Sequence, residues 1–134
     1  NPEDELLPAC AENDVAVIAR VPFDEGTLTG NITLESTWPE DDWRSSYFVP
    51  ENLKSSVEHA DPLRTLVPEG MTMPEMALRF ILNEPRIQTI IPGMRKANHV
   101  RMNIAASDSG PLSSDLHQIL KTHRWDRPPT EWSQ

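Results

Sequence analysis

Two short apolar runs constrain what this chain can fold into more than anything else in it. They are Val15-Ala16-Val17-Ile18-Ala19-Arg20 and Ile87-Gln88-Thr89-Ile90-Ile91. Both are rich in β-branched residues, and each is cut off by a proline turn, Val21-Pro22 and Pro92-Gly93. Runs this short with little polar alternation read as strands covered on both faces, as in a parallel sheet. Helical patterns surround them. Residues 3–13 read as a short helix with acids in its first turn, and residues 51–66 as a helix interrupted near Asp61-Pro62. Thr72 to Asn83 is the clearest helix. Thr72 and Glu75 have capping-box spacing, Pro74 falls in the first turn, and Leu78, Ile81 and Leu82 share a face. Residues 96–106, with Val100 and Ile104 inward, and Ser114 to His123, with Leu116, Ile119 and Leu120 on one stripe, complete the set.

Strand, helix, strand, helix in this order is the mark of an α/β fold with a parallel sheet and crossover helices. Only two strands are visible, and two parallel strands cannot cover themselves. Further strands or another copy are therefore expected against them, and a dimer or larger assembly is one outcome. The stretch 31–50 reads as a long loop carrying Trp38, Trp43 and Pro50, and 124–134 as an irregular tail. A loop of this length in a compact domain is usually either functional or disordered.

Composition narrows the partners. The net charge of −9 argues against nucleic acid. Residues 1–61 hold fourteen acids against three bases, and residues 62–134 seven acids against nine bases, which suits an anionic ligand on the back half and equally two solvated surfaces that differ by chance. One cysteine, Cys10, leaves no disulfide within the chain and no cysteine-based metal site. No apolar run approaches the roughly 18 residues of a membrane span. A cytoplasmic setting is the expectation. Hydrophobic residues are 37% and mean hydropathy is −0.51, which is lean for a globule that covers its own core.

Candidate chemistry sits where the two runs end. After the second run, Pro92-Gly93-Met94-Arg95-Lys96 leads into a helix start, with His99 and Arg101 close behind. Backbone N–H groups at a helix N-terminus attract anions, glycine admits a ligand close to the backbone, and Arg95 and His99 are spaced to share a helix face. That pattern suits a phosphate monoester, and equally an exposed basic helix start. After the first run, Pro22 to Gly30 is a turn-rich segment with two glycines, at the edge where parallel α/β folds collect ligands. Neither a dinucleotide-binding GxGxxG nor a P-loop pattern is present. Trp38 and Trp43 either wall a pocket or anchor their loop.

The segments VAVIARVPFDEGTLTG, ALRFILNEPRIQTIIPGMRKANHVRMNIAAS and HRWDR resemble, in order and spacing, the C-terminal portion of bacterial aldo-keto reductases. The resemblance covers nearly the whole chain, residues 1–134. It implies a (β/α)8 barrel of which this chain holds the seventh and eighth strands with their flanking helices. It also implies NADP(H) as cofactor and a small aldehyde or ketone as substrate of the complete enzyme. By the same resemblance Pro22, Phe23, Asp24, Gly26, Leu28 and Gly30 fold across the cofactor pyrophosphate. Gly93, Met94 and Arg95 receive the 2′-phosphate, His99 lies beside the adenine, and Asn103 hydrogen-bonds the adenine amine. Gly93 stands where many members place Lys, Met94 where they place Ser, and Met102 where Glu is common, which bears on the choice between NADP and NAD. The family's catalytic Asp, Tyr, Lys and His lie on earlier strands and none maps here; Tyr47 takes no role. The partner expected is the N-terminal part of the barrel, or self-association. The rival reading is a non-catalytic nucleotide-binding or interaction module derived from such an enzyme.

Overall fold

The structure is a computed structural model that describes residues 2–126. Its elements run α1 (Leu6–Glu12), β1 (Ile18–Arg20), a short 3-10 segment (Asp24–Thr29), α2 (Trp43–Tyr47), α3 (Pro50–Arg64), α4 (Met73–Leu82), β2 (Thr89–Ile91), α5 (Ala97–Asp108) and α6 (Ser114–Lys121). β1 and β2 pair in parallel, with Ile18 opposite Thr89, Ala19 opposite Ile90 and Arg20 opposite Ile91. The pairing extends one step beyond the strands. Val17 N–H donates to the Gln88 side-chain oxygen at 2.6 Å, and Val17 carbonyl accepts from Gln88 N–H at 3.1 Å.

α4 forms where its caps dictate. Thr72 Oγ1 accepts from Glu75 N–H at 3.3 Å, and Pro74 sits in the first turn, where its missing N–H costs nothing. Met73, Met76 and Leu78 are buried, so α4 is covered on two sides. Met73 and Met76 meet Ala60 and Leu63 of α3, Leu120 of α6 and Leu112 in one core. Arg79 holds the turn between α5 and α6, donating through Nε to Gly110 carbonyl and through Nη2 to Pro111 carbonyl, both at 2.9 Å. Asn83 Oδ1 accepts from Leu112 N–H at 2.8 Å and fixes the same turn. A second core joins Phe48 to Leu53 and Val57 of α3, with Ile32, Trp38 and Tyr47 against it.

Several expectations need correction. Helix α3 is continuous through Pro62. Pro62 lies in the last turn, where its ring removes only one helical bond and Thr65 N–H turns back to its carbonyl at 3.3 Å. The strands are shorter than the apolar runs and are not buried on both faces: Ile18 is 61% exposed and Ile91 58%. Alternation explains this, since Ala19 and Ile90 are half-covered while their neighbours project to the other, open side. Ile104 is 55% exposed and Ile119 47%, against the inward positions expected of them. The covered stripe of α5 runs through His99, Asn103 and Ala106, leaving Ile104 roughly a third of a turn from its centre. The 31–50 segment carries the short helix α2, capped by Asp42, whose side chain accepts from Arg44 N–H. Of the tail 124–134, residues from 127 on lie outside the described residues. No helix among the described residues is long and apolar enough to cross a membrane.

Candidate functional site

The exit of β1 is backbone held out of its ordinary range. Val21 has φ +54°, Asp24 +50° and Glu25 +56°, followed by Gly26 at +105°. Left-handed residues other than glycine cost about 1–3 kcal/mol each, and such strain gathers where a chain is shaped for a ligand. β-branched Val21 is the most costly place for it. The turn is tied by its own backbone. Phe23 carbonyl accepts from Gly26 and Leu28 N–H, each at 3.0 Å, and Thr29 Oγ1 donates to Gly26 carbonyl at 2.6 Å. The N–H groups of Asp24 and Gly30 also turn back within the loop, to the Val21 carbonyl at 3.0 Å and the Thr27 carbonyl at 3.4 Å, so the turn is held by its own bonds.

Arg64, from the end of α3, clamps the far end of this loop. Its Nη1 donates to Gly30 carbonyl at 2.6 Å and its Nη2 to Ile32 carbonyl at 3.2 Å, while Nε donates to Asp61 Oδ1 at 2.8 Å. Gly30 is left-handed (φ +78°), and a Cβ there would lie 3.2 Å from Arg64 Nη1. Pro22 is buried, and Phe23, Asp24, Gly26, Leu28 and Gly30 are half-buried. Thr27 is 1% exposed, and its hydroxyl has no hydrogen-bond partner among the described residues.

The exit of β2 is open. A Cβ on Gly93 would meet nothing within 4 Å, Met94 is 50% exposed, and Arg95 and Lys96 are exposed. Helix α5 begins at Ala97, with Lys96 as an extended N-cap (φ −119°, ψ 145°) and no side chain capping its first N–H groups. Arg95 therefore lies before the helix and does not share a face with His99. The residues that do share one are His99 and Asn103, both half-buried. Asn103 Nδ2 donates weakly to Gly93 carbonyl at 3.4 Å, which ties the helix face back to the turn.

Parallel pairing brings the two exits together. Arg20 is opposite Ile91, so the Val21–Gly30 loop and the Pro92–Lys96 turn leave the same edge of the sheet side by side. The two tryptophans of the 31–50 segment are not part of this edge cluster. Trp38 stacks on Phe48 at 4.8 Å and 16°, with the Arg44 guanidinium 6.0 Å from its ring. Trp43 is 52% exposed and meets Tyr47 edge-on at 5.7 Å. Trp38 thus packs against the second core, while Trp43 leans on Tyr47 within α2. Hydrogen bonds from Arg44 hold the Asp42 carboxyl at about 2, below its usual range. Among the described residues no group of His, Cys, Asp or Glu is placed to hold a metal ion. Arg64, Thr27 and the strained Val21 escaped the sequence reading, because no local pattern marks them.

Two parallel strands joined through helices define an α/β protein, a class in which ligands gather at the C-terminal ends of the strands. The chain matches the Aldo/keto reductase family over residues 1–124, and it belongs to that family. It is 30% identical, over 78% of its length, to a protein described as an NADH-specific methylglyoxal reductase of Escherichia coli. It is 24% identical, over 78% of its length, to an NADP(+) aldo-keto reductase of Schizosaccharomyces pombe. The chain spans 32% of each of these relatives. Its fold is shared with the glycerol dehydrogenase of Gluconobacter oxydans, with a TM-score of 0.76 at 22% identity, over 91% of this chain and 38% of that one.

Proposed function

We propose that this chain forms the C-terminal part of a (β/α)8 barrel, with β1 and β2 as its seventh and eighth strands. In the complete, cytoplasmic enzyme it supplies one side of an NADP(H) site for the reduction of a small aldehyde or ketone. The observation that carries this is the pairing of Arg20 with Ile91, which sets the strained loop and the open glycine turn at one edge. Ligands of parallel barrels bind at the C-terminal ends of the strands. The bared strand faces support the same reading, since Ile18 and Ile91 present apolar surface that further strands would cover.

The residues present fit the cofactor. The loop from Pro22 to Gly30, with Phe23, Asp24, Gly26 and Leu28, would fold across the pyrophosphate. Gly93, Met94 and Arg95 would hold the adenosine phosphate, with His99 and Asn103 against the adenine. When bound, the nicotinamide supplies a hydride to the carbonyl carbon. This chain's residues bind and orient; the proton donor belongs to the rest of the barrel.

The choice of NADP(H) rests on Arg95 and Lys96 beside an uncapped helix start. The test is calorimetric titration of 2′-phospho-ADP-ribose against ADP-ribose. A charge-assisted hydrogen bond contributes roughly 1.5–3 kcal/mol, so the phosphorylated ligand should bind about tenfold more tightly. Arg95→Ala should remove most of that difference. Equal affinities in the parent would overturn the NADP assignment, and binding of neither ligand would overturn the cofactor site.

A further inference from the structure

Away from the β2 exit and from α5, the structure holds a second concavity. It measures about 490 Å³ and lies between α3, α4 and α6, with Pro22, Asp24 and Leu28 along one side. No residue of the Pro92–Lys96 turn lines it. Its floor is apolar: Leu63, Met73, Met76 and Leu120 are buried and Phe80 half-buried. Its cations sit on the rim and are already matched. Lys121 Nζ meets Glu3 Oε2 at 2.9 Å, and Arg124 Nη2 meets Asp126 Oδ1 at 2.9 Å. Trp125 closes one wall and is itself stacked on His59 at 4.8 Å.

We infer that this cavity is a binding site for a neutral, hydrocarbon-rich molecule of two or three rings. Size sets the lower bound, because an apolar cavity of roughly 150 Å³ is enough for benzene, and pockets of about 300–1,000 Å³ hold drug-sized ligands. Charge sets the class. A carboxylate or amine entering here would break an existing ion pair to gain its own and would lose hydration over an apolar floor. A neutral ligand leaves both pairs intact. The floor suits flat molecules: thioethers adapt in shape and make favourable contacts with aromatic rings, and Met73, Met76 and Phe80 supply them together.

The test uses the full chain and the neutral fluorophore N-phenyl-1-naphthylamine, with the anionic anilinonaphthalene sulfonate as comparison. Binding of the neutral probe should shift the NMR signals of the Met73 and Met76 methyls and leave those of Met94 and Met102 in place. The sulfonate should bind at least tenfold more weakly. Ala77→Trp, at a half-buried position in the cavity wall, should weaken the neutral probe at least tenfold with the helical circular dichroism unchanged. Ile91→Ser, on the open sheet, should leave affinity as it was. Movement confined to Met94 or Met102, equal binding of the two probes, or loss of binding in Ile91→Ser alone would overturn the inference.

Discussion

Replacing Arg64 with alanine removes the clamp on the glycine loop. A hydrogen bond from a charged group contributes about 1.5–3 kcal/mol, and the half-buried bond to Gly30 at 2.6 Å belongs in that range. The bond to Ile32 is longer, at 3.2 Å, and the ion pair with Asp61 faces solvent, so each adds little. The Arg64 side chain is 36% exposed, so screening places the total near the low end, about 2 kcal/mol. Urea unfolding followed by circular dichroism reads this directly. With a slope of about 1–3 kcal/mol per molar for a small protein, the midpoint should fall by about 1 M. Arg64→Lys should recover only part, because an ammonium cannot reach two carbonyls with one planar fork. Gly30→Ala should cost about 1–2 kcal/mol for its left-handed φ. It should cost more in the parent than in the Arg64→Ala background, since the added Cβ lies 3.2 Å from Nη1. ADP-ribose affinity should fall in Arg64→Ala, because the loop then orders only on binding. A midpoint change worth less than about 0.5 kcal/mol, with unchanged ADP-ribose affinity, would refute the clamp.

Thr27→Val keeps the side-chain shape and removes a buried hydroxyl that has no partner among the described residues; such a group costs about 1–3 kcal/mol, so the urea midpoint should rise, and a fall would contradict the assignment. Glu84, hydrogen-bonded to Arg86, has its pKa lowered from 4.5 to about 2, so its share of stability is complete above pH 4.5 and drains away as pH falls towards 2. Glu84→Gln should flatten the stability curve across that window relative to the parent, as read by urea titrations at stepped pH. The open sheet should drive association, and sedimentation velocity at tens of micromolar should show dimers or larger species that Ile18→Ser with Ile91→Ser reduces; a compact monomer in the parent would contradict this.

What the sequence disclosed was local. The α4 boundaries follow from Thr72, Pro74 and Glu75, and the structure places them within one residue of the expected span. The two strand ends follow from Pro22 and Pro92, and so does the location of the candidate site. What it withheld depends on partners far along the chain. Arg64 reaches carbonyls 34 and 32 residues away, and Arg79 reaches Gly110 and Pro111 across 31 and 32. An isolated arginine carries no pattern that announces such reach. Strand burial misled because β-branched runs report what a segment prefers to pack against, and here Ile18 and Ile91 face outward. The Arg95 and His99 pairing failed for a smaller reason. Spacing of four implies a shared face only inside a helix, and the extended Lys96 puts Arg95 outside it.

The pairing of β1 with β2 also sets an order of events. It joins residues 71 positions apart, as the Val17–Gln88 contact measures. Closing so long a loop is entropically unfavourable until the intervening chain has shortened it, and parallel pairing is accordingly slow. The helix pair α3 and α4, close in sequence and joined through one core, is placed to condense earlier. On that order the strained loop and the glycine turn are expected to meet late. A nucleotide bridging the two exits, as proposed above, would act as a staple on this long-range contact.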